Sequence, residues 1–548
     1  MRNKSTANEL EIYAVAGAHT AVLSFDFKHK PQGLLGFALE RQEMNTGKRI
    51  WLTGQKCFQS IIPDPVQGQH YPTHLHPIQS FLWKDFTLTP GESYKFKVTP
   101  VFGQPNHLQY GSPEEISVTA EMEYDGEQGV YFNRGVSGSQ SYSENFPPIP
   151  IKKMDAPTKE CALTWLSRGL FEGLKAYIES AKKDDFLYGA FYEFHEPRTL
   201  QLFKAAAQRG VKVALIVDGK QYLKDNLPAV KTAGILSLVK QWRKHAKIPH
   251  NKFLIHCSKS GTPVRVWTGS TNISEKGIFG QCNTGHIVKS GVLAAEYMQF
   301  WNALLADPAH GPLVTAVMGV QADLAASQLP DNSITAFFSP RDSLKMLDVY
   351  ATLVQGATEL ACGIFPFNVD QRFQNAFNLD KDFPRYVIVD KKNNAFQAND
   401  RDLDIAVGAC IDHPVDQWVK ERSAGALFYG GTDYVHNKLL IVDPLGASPI
   451  IVSGSANLSE SSTDKNDENM LVIKGGDFKR EADIYFTEFV RLFDHFQFRD
   501  WINTDPQDFK PFLEEKPAPN GWTWVDKYFD NPKYLSYKRK MVFKNMVL

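Results

Sequence analysis

Two stretches of the sequence carry the same set of reactive side chains. "HNKFLIHCSKSGTPVRVWTGSTNIS" begins at His250 and "HNKLLIVDPLGASPIIVSGSANLS" begins at His436. Each opens on His-Asn-Lys, runs through an apolar strand and closes on Gly-Ser-x-Asn. Alternate side chains of an extended chain share a face, so His250 projects with Lys252 and His436 with Lys438, while Asn251 and Asn437 point away. A second strand brings Ser270 and Asn272, or Ser455 and Asn457, to a strand end, where glycine permits a tight turn. The two copies supply two imidazoles, two ammonium groups and two carboxamides. Such a set suits a phosphodiester. Lys and Asn hold the non-bridging oxygens through a five-coordinate transition state. One neutral His attacks phosphorus, and the other, protonated, donates to the leaving oxygen. No carboxylate cluster accompanies the set, so this chemistry calls for neither a metal nor another cofactor.

The doubled motif resembles H-x-K-x4-D and G-S-x-N of the phospholipase D superfamily, across roughly residues 150–510. The resemblance implies two halves around one active site, acting by hydrolysis or transfer. Asp443 occupies the Asp position of the second copy; the first copy has Cys257 there, a small buried residue and not a catalytic thiol. In the family that Asp mostly supports the fold behind the strand. Eleven residues beyond the motif asparagine, where the family usually carries an acid, stand Glu468 and Asn283. The implied cross-half pairing has Glu468 orient His250 and Asn283 orient His436. A carboxylate stabilises the charge that grows on an attacking imidazole, so His250 is expected to form a covalent phosphohistidine. His436 then protonates the leaving group and activates the water or alcohol that releases the product. Lys252, Lys438, Asn272 and Asn457 complete the expected catalytic set, with Ser270 and Ser455 as expected substrate-binding residues.

These residues need a framework. From Cys161 the chain alternates helical and strand patterns: helix "RGLFEGLKAYIESAKK", strand "FLYGAFYEF", helix "RTLQLFKAAAQRG", strand "VKVALIVD". The order recurs after Pro330 with "SLKMLDVYATLVQGA", "ELACGIFPF" and "YVIVD". The expected fold class is α/β, with two similar halves of mixed sheets flanked by helices, at 149–329 and 330–548, the second with a C-terminal extension. Residues 1–148 read as a β-sandwich of fibronectin III or immunoglobulin type, from short β-branched runs such as "AVLSFDF" and a turn-then-Tyr pattern, "LTPGESYKFKV", that resembles a tyrosine corner. The proline-rich "NFPPIPIKK" marks the boundary. The β domain, which lacks a catalytic constellation, is expected to serve recognition or to dock a protein partner.

A length of 548 residues calls for several domains, and a net charge of −1 gives no overall pull toward nucleic acid or anionic membrane. The expected substrate is therefore a phospholipid head-group bond; a metal-independent nuclease acting on DNA or RNA is the alternative, and an inactive phosphate-binding module a second. Six scattered cysteines (57, 161, 257, 282, 362 and 410) fit free thiols, and neither an apolar leader nor an 18-residue apolar run occurs. These features read as cytoplasmic, or exported without a cleaved signal. His74 and His76 have H-x-H spacing without an evident third metal ligand. His256 and His286 flank the motifs and read as packing residues. Lys538, Arg539 and Lys540 read as a solvated surface, and Trp522 and Trp524 as caps on a core.

Overall fold

The structure, a computed structural model, describes residues 1–548 apart from 7, 67–68, 136–141, 143–144, 148, 392–394, 397–401, 409–434 and 505–510. Cys410 lies outside the described residues. Two sheets with the same strand order dominate the chain. The first runs Gln128–Phe132, Thr284–Val288, Pro263–Gly269, Lys252–Cys257, Phe186–Phe191, Lys212–Asp218, Val239–Arg243. The second runs Ser333–Ser339, Glu468–Lys474, Ile450–Gly454, Leu439–Val442, Ala361–Phe365, Arg385–Val389, Leu403–Val407. In both, the strand after the His-Asn-Lys lead-in pairs antiparallel with a central strand, which pairs in parallel with the next. That parallel step needs a crossover helix, Pro197–Gln208 in one half and Gln371–Phe377 in the other. Both helices start at a capping carboxylate, Glu196 or Asp370, which accepts backbone N–H groups of the first turn.

The apolar faces of the two sheets meet a shared core. Phe253, Ile255 and Val266 of the first sheet and Phe338, Leu439 and Ile441 of the second belong to one buried cluster, with Tyr297 and Phe300 of helix Gly291–Leu305 and Phe489 and Phe493 of helix Lys479–Thr504. The strand Gln128–Phe132, expected within the β-sandwich, is the edge strand of the first sheet, in the place that Ser333–Ser339 takes in the second. The linker at Asn145 therefore follows the first strand of this sheet.

The N-terminal region forms two antiparallel sheets around its own core of Ile12, Leu23, Phe25, Phe37 and Phe96. Tyr94 Oη accepts from the Thr89 backbone N–H at 2.9 Å, the bond of a tyrosine corner. This region is packed onto the α/β core: Tyr13, Val15 and Val22 join the shared cluster. A Cβ added at Gly17 would lie 2.1 Å from Thr487 Oγ1 on helix Lys479–Thr504, which explains the glycine.

The basic C-terminal tail is corrected from the expected solvated surface. It forms helix Leu535–Lys544, wedged between the β region and the second half. Lys540, 4% exposed, pairs with buried Asp26 at 2.6 Å, Lys538 pairs with Asp402 at 2.5 Å, and Arg539 pairs with Asp404. Each charge has found a carboxylate, which lets the helix bury its other face. Trp524 is buried in the sandwich core with its indole N–H on Leu34 O, while Trp522 is 39% exposed.

Candidate active site

Two short bridges dock the halves on each other at equivalent places. Pro249, just before His250, bridges Asp467, just before Glu468; Val435, just before His436, bridges Cys282, just before Asn283. Each lead-in to a His-Asn-Lys segment is thereby set against the other half's acceptor. His250 Nδ1 lies 2.9 Å from the Glu468 carboxylate, and His436 Nδ1 lies 2.8 Å from Asn283 Oδ1. Both imidazoles are held through Nδ1 from the opposite half, which reserves Nε2 for chemistry.

The acceptors are themselves fixed. Ser455 Oγ donates to Glu468 at 2.6 Å and accepts from Asn469 N–H; Ser270 Oγ donates to Asn283 Oδ1 at 2.8 Å and accepts from Thr284 N–H. The Asn283 amide donates to Gly277 O, which leaves its oxygen turned to His436. Ser270 and Ser455, expected to bind substrate, lie beneath these acceptors. Both hydroxyls are buried, and each gives its one proton to an acceptor, which orients Glu468 and Asn283. The motif glycine has a matching reason: a Cβ at Gly269 would stand 2.2 Å from Thr284 O, and one at Gly454 2.3 Å from Asn469 O.

Lys252 and Lys438 are buried side chains that each donate one N–H to their own histidine's carbonyl, at 2.6 and 2.5 Å. Asn272 donates to Glu193 at 2.7 Å. Asn457 Oδ1 is a buried atom without a hydrogen-bond partner among the described residues. Burial lowers Lys252 to about 8 and Lys438 well below the usual lysine range. Burial and the neighbouring ammonium groups also keep both histidines well below their usual range, hence neutral. Burial pushes Glu468 up to about 8 against the pull of Lys252, Ser455 and Lys438. The arrangement can hold an anion between two ammonium groups and present two imidazole Nε2 atoms to it.

Several contributors carry no sequence expectation. Asn251 and Asn437, pointing away from the His/Lys face, reach across to Asn469 (3.0 Å) and Thr284 (2.5 Å). The signal was present, since Asn469 follows Glu468 as Thr284 follows Asn283. Arg243 clamps Asp467 at 2.8 Å and so steadies the strand start that carries Glu468. Tyr192 lies edge-on to His250, with centroids 4.9 Å apart. No motif marks Glu193 or Tyr192.

The expected support behind the strands also resolves. Asp443 accepts from the backbone N–H groups of Thr358, Glu359 and Leu360. In the first half Cys257 is a buried thiol that burial pushes up to about 12, and the carboxylate comes instead from Asp185, which accepts from Lys182 N and meets His256 at 3.0 Å. His286 sits between Tyr485 and Gln128, away from the catalytic groups. His76 accepts from Phe58 N–H and His74 stacks on Trp51. Among the described residues no group of three His, Cys, Asp or Glu side chains could hold a metal.

The family described as cardiolipin synthase, PLD-like domain, matches residues 174–305 and 383–490, two segments that enclose the two motif copies. The chain belongs to the phospholipase D superfamily. No curated protein matches the sequence. Similar solved structures include phosphatidylserine synthase from Haemophilus influenzae Rd KW20 (15% identity, 70% of this chain and 94% of that one, TM-score 0.41). They also include polyphosphate kinase from Porphyromonas gingivalis (12% identity, 60% of this chain and 48% of that one, TM-score 0.39), of which this chain spans about half. A third is Nuc, a phospholipase D family member from Salmonella typhimurium (16% identity, 30% of this chain and 95% of that one, TM-score 0.21). Within this superfamily chain, no helix of the described residues is long and apolar enough to cross a membrane.

Proposed function

We propose that this phospholipase D superfamily protein cleaves or transfers a phosphodiester of a phospholipid through a phosphohistidine on His250. The observation that carries the reading is the pair of cross-half contacts, a carboxylate on His250 Nδ1 and a carboxamide on His436 Nδ1. Above about pH 8 the ionised Glu468 accepts a hydrogen bond from His250 Nδ1–H, which holds the ring's proton on Nδ1 and leaves the Nε2 lone pair free for phosphorus. The Nε2–P bond forms as the bond from phosphorus to the leaving oxygen breaks, with Lys252, Lys438, Asn272 and Asn457 around the equatorial oxygens. Before substrate arrives the two ammonium groups keep His436 neutral. The negative phosphodiester offsets them, so His436 Nε2 can hold the proton that the leaving oxygen takes. The same nitrogen then removes a proton from the water or alcohol that attacks the phosphohistidine. A phospholipid is favoured over nucleic acid because the chain carries a net charge of −1. The test is an assay of the pure protein on a phospholipid panel and on plasmid and oligonucleotide. Head-group release is expected, and cleavage of the polynucleotides alone would replace the lipid reading with the nuclease one.

A further inference from the structure

Glu193 lies just beyond strand Phe186–Phe191, outside both motif copies. The halves align at this point. Gly189 faces Leu254 as Gly363 faces Leu440, and Glu196 caps its helix as Asp370 does, which pairs Glu193 with Phe367. Phe367 is 50% exposed and cannot accept a hydrogen bond. Glu193 Oε1, by contrast, accepts one N–H of the Asn272 carboxamide at 2.7 Å. Asn272 Oδ1 is buried and has no hydrogen-bond partner among the described residues. A carboxamide nitrogen has two N–H bonds, so the anchor on Glu193 fixes the direction of the second. Glu193 is also a negative charge beside Lys252 and Lys438, acting on both against the effect of burial.

We propose that Glu193 is a positioning and specificity residue, which aims the Asn272 carboxamide at the phosphate and biases the site toward singly charged phosphodiesters over doubly charged phosphomonoesters. The inference rests on the phosphodiester reading above. Two ammonium groups face two carboxyl groups, Glu468 and Glu193, so the site carries little surplus positive charge and each further negative charge on a ligand is held less well. A second negative charge about 6–8 Å from a half-buried carboxylate weakens binding on the order of tenfold to a hundredfold. The second half offers no counterpart, since Phe367 carries no charge.

The experiment compares bis(4-nitrophenyl) phosphate with 4-nitrophenyl phosphate, which share a leaving group and differ in charge, across a pH series. In Glu193→Gln the ratio of kcat/KM for diester over monoester is expected to fall about tenfold. The alkaline limb of the diester profile should move to lower pH, because Lys252 loses a neighbouring anion. Glu193→Asp keeps the charge but is too short to reach Asn272; the ratio should persist while kcat on the diester falls about tenfold. An unchanged ratio in the Gln variant, or an unchanged kcat in the Asp variant, overturns the proposal. If the Gln variant does not fold, kcat of the Asp variant decides alone. If the wild-type protein cleaves no diester, the phosphodiesterase reading fails separately. Charge selection is then read by calorimetry with diethyl phosphate and phenyl phosphate, and an affinity ratio equal in wild type and Glu193→Gln overturns it.

Discussion

In the first half an imidazole meets a carboxylate, and in the second an imidazole meets a carboxamide, although the two sheets share one strand order. The serine beneath each acceptor, the lysine on each histidine carbonyl and the bridge that docks each lead-in are the same in both. A duplicated scaffold thus supplies near-symmetric positions, and a single difference at equivalent places gives the two imidazoles unlike partners. A carboxylate can carry the positive charge that grows on an attacking ring; an amide leaves its partner ring readier to give up a proton.

Removing the histidines should break this comparison most severely. His250→Ala is expected to lose on the order of 10^5-fold or more in turnover and to form no adduct. His436→Ala should lose about 10^2- to 10^4-fold on lipid, yet its His250 should still attack substrates whose leaving group departs unprotonated, so the variant accumulates as a phosphorylated protein. Intact-mass spectrometry with peptide mapping checks both, and an adduct on His436 in the His250→Ala protein would reverse the assignment. Excess EDTA should leave turnover unchanged, because the proposed attack, proton transfer and charge stabilisation all use protein side chains.

Exchanging the acceptors sharpens the same contrast with smaller effects. Glu468→Gln makes both halves amide-bearing and should cost about 10- to 100-fold in kcat. Asn283→Asp makes both acidic and should slow proton delivery to poor leaving groups while sparing nitrophenolate, a difference read from kcat on the two substrate classes. The pH profile follows from the directions of the shifts. Glu468, raised to about 8, is ionised only above that pH, whereas Lys252, lowered to about 8, is charged only below it. The profile of kcat/KM should therefore be a narrow bell centred near pH 8, and Glu468→Gln should erase its acidic limb.

The smallest effects concern support of the strands. Asp443→Ala leaves backbone donors of Thr358, Glu359 and Leu360 unpaired and should cost about 1–2 kcal/mol, measured by urea unfolding. Cys257→Ala, at the equivalent position, removes no hydrogen bond to the corresponding turn, where Asp185 acts instead, and should cost less.

The β region and the α/β halves form a second contrast. Deleting residues 1–148 does not leave the α/β halves intact: the cut removes strand Gln128–Phe132 from the first sheet and uncovers the core surface that Tyr13, Val15 and Val22 pack against. It also strips Thr20 from a buried network in which Arg168 and Arg491 hold Glu488 at about 2 against the effect of burial. Such a truncation is expected to be insoluble, as size-exclusion chromatography would show.

The sequence alone determined the doubled His-Lys-Asn set, while the cross-half pairing of Glu468 and Asn283 entered only through the family resemblance. Side-chain types at fixed spacing on an extended chain restrict which groups share a face, and a motif written twice implies two matching sheets. It also marked the alternation of helix and strand, because the period of apolar residues is a local property. Tertiary structure alone decided which groups face the substrate and which stand behind it. Ser270 and Ser455 read as substrate ligands until the neighbouring strand's N–H groups and the acceptors claimed both hydroxyls. Lys540 reads as a surface charge until Asp26, remote in sequence, meets it in a buried pair. Glu193 carries no local signature, because its role depends on Asn272, 79 residues away, and on two lysines brought in by different halves. Contacts between residues far apart in the chain depend on how whole sheets pack, and no local pattern of residues encodes them.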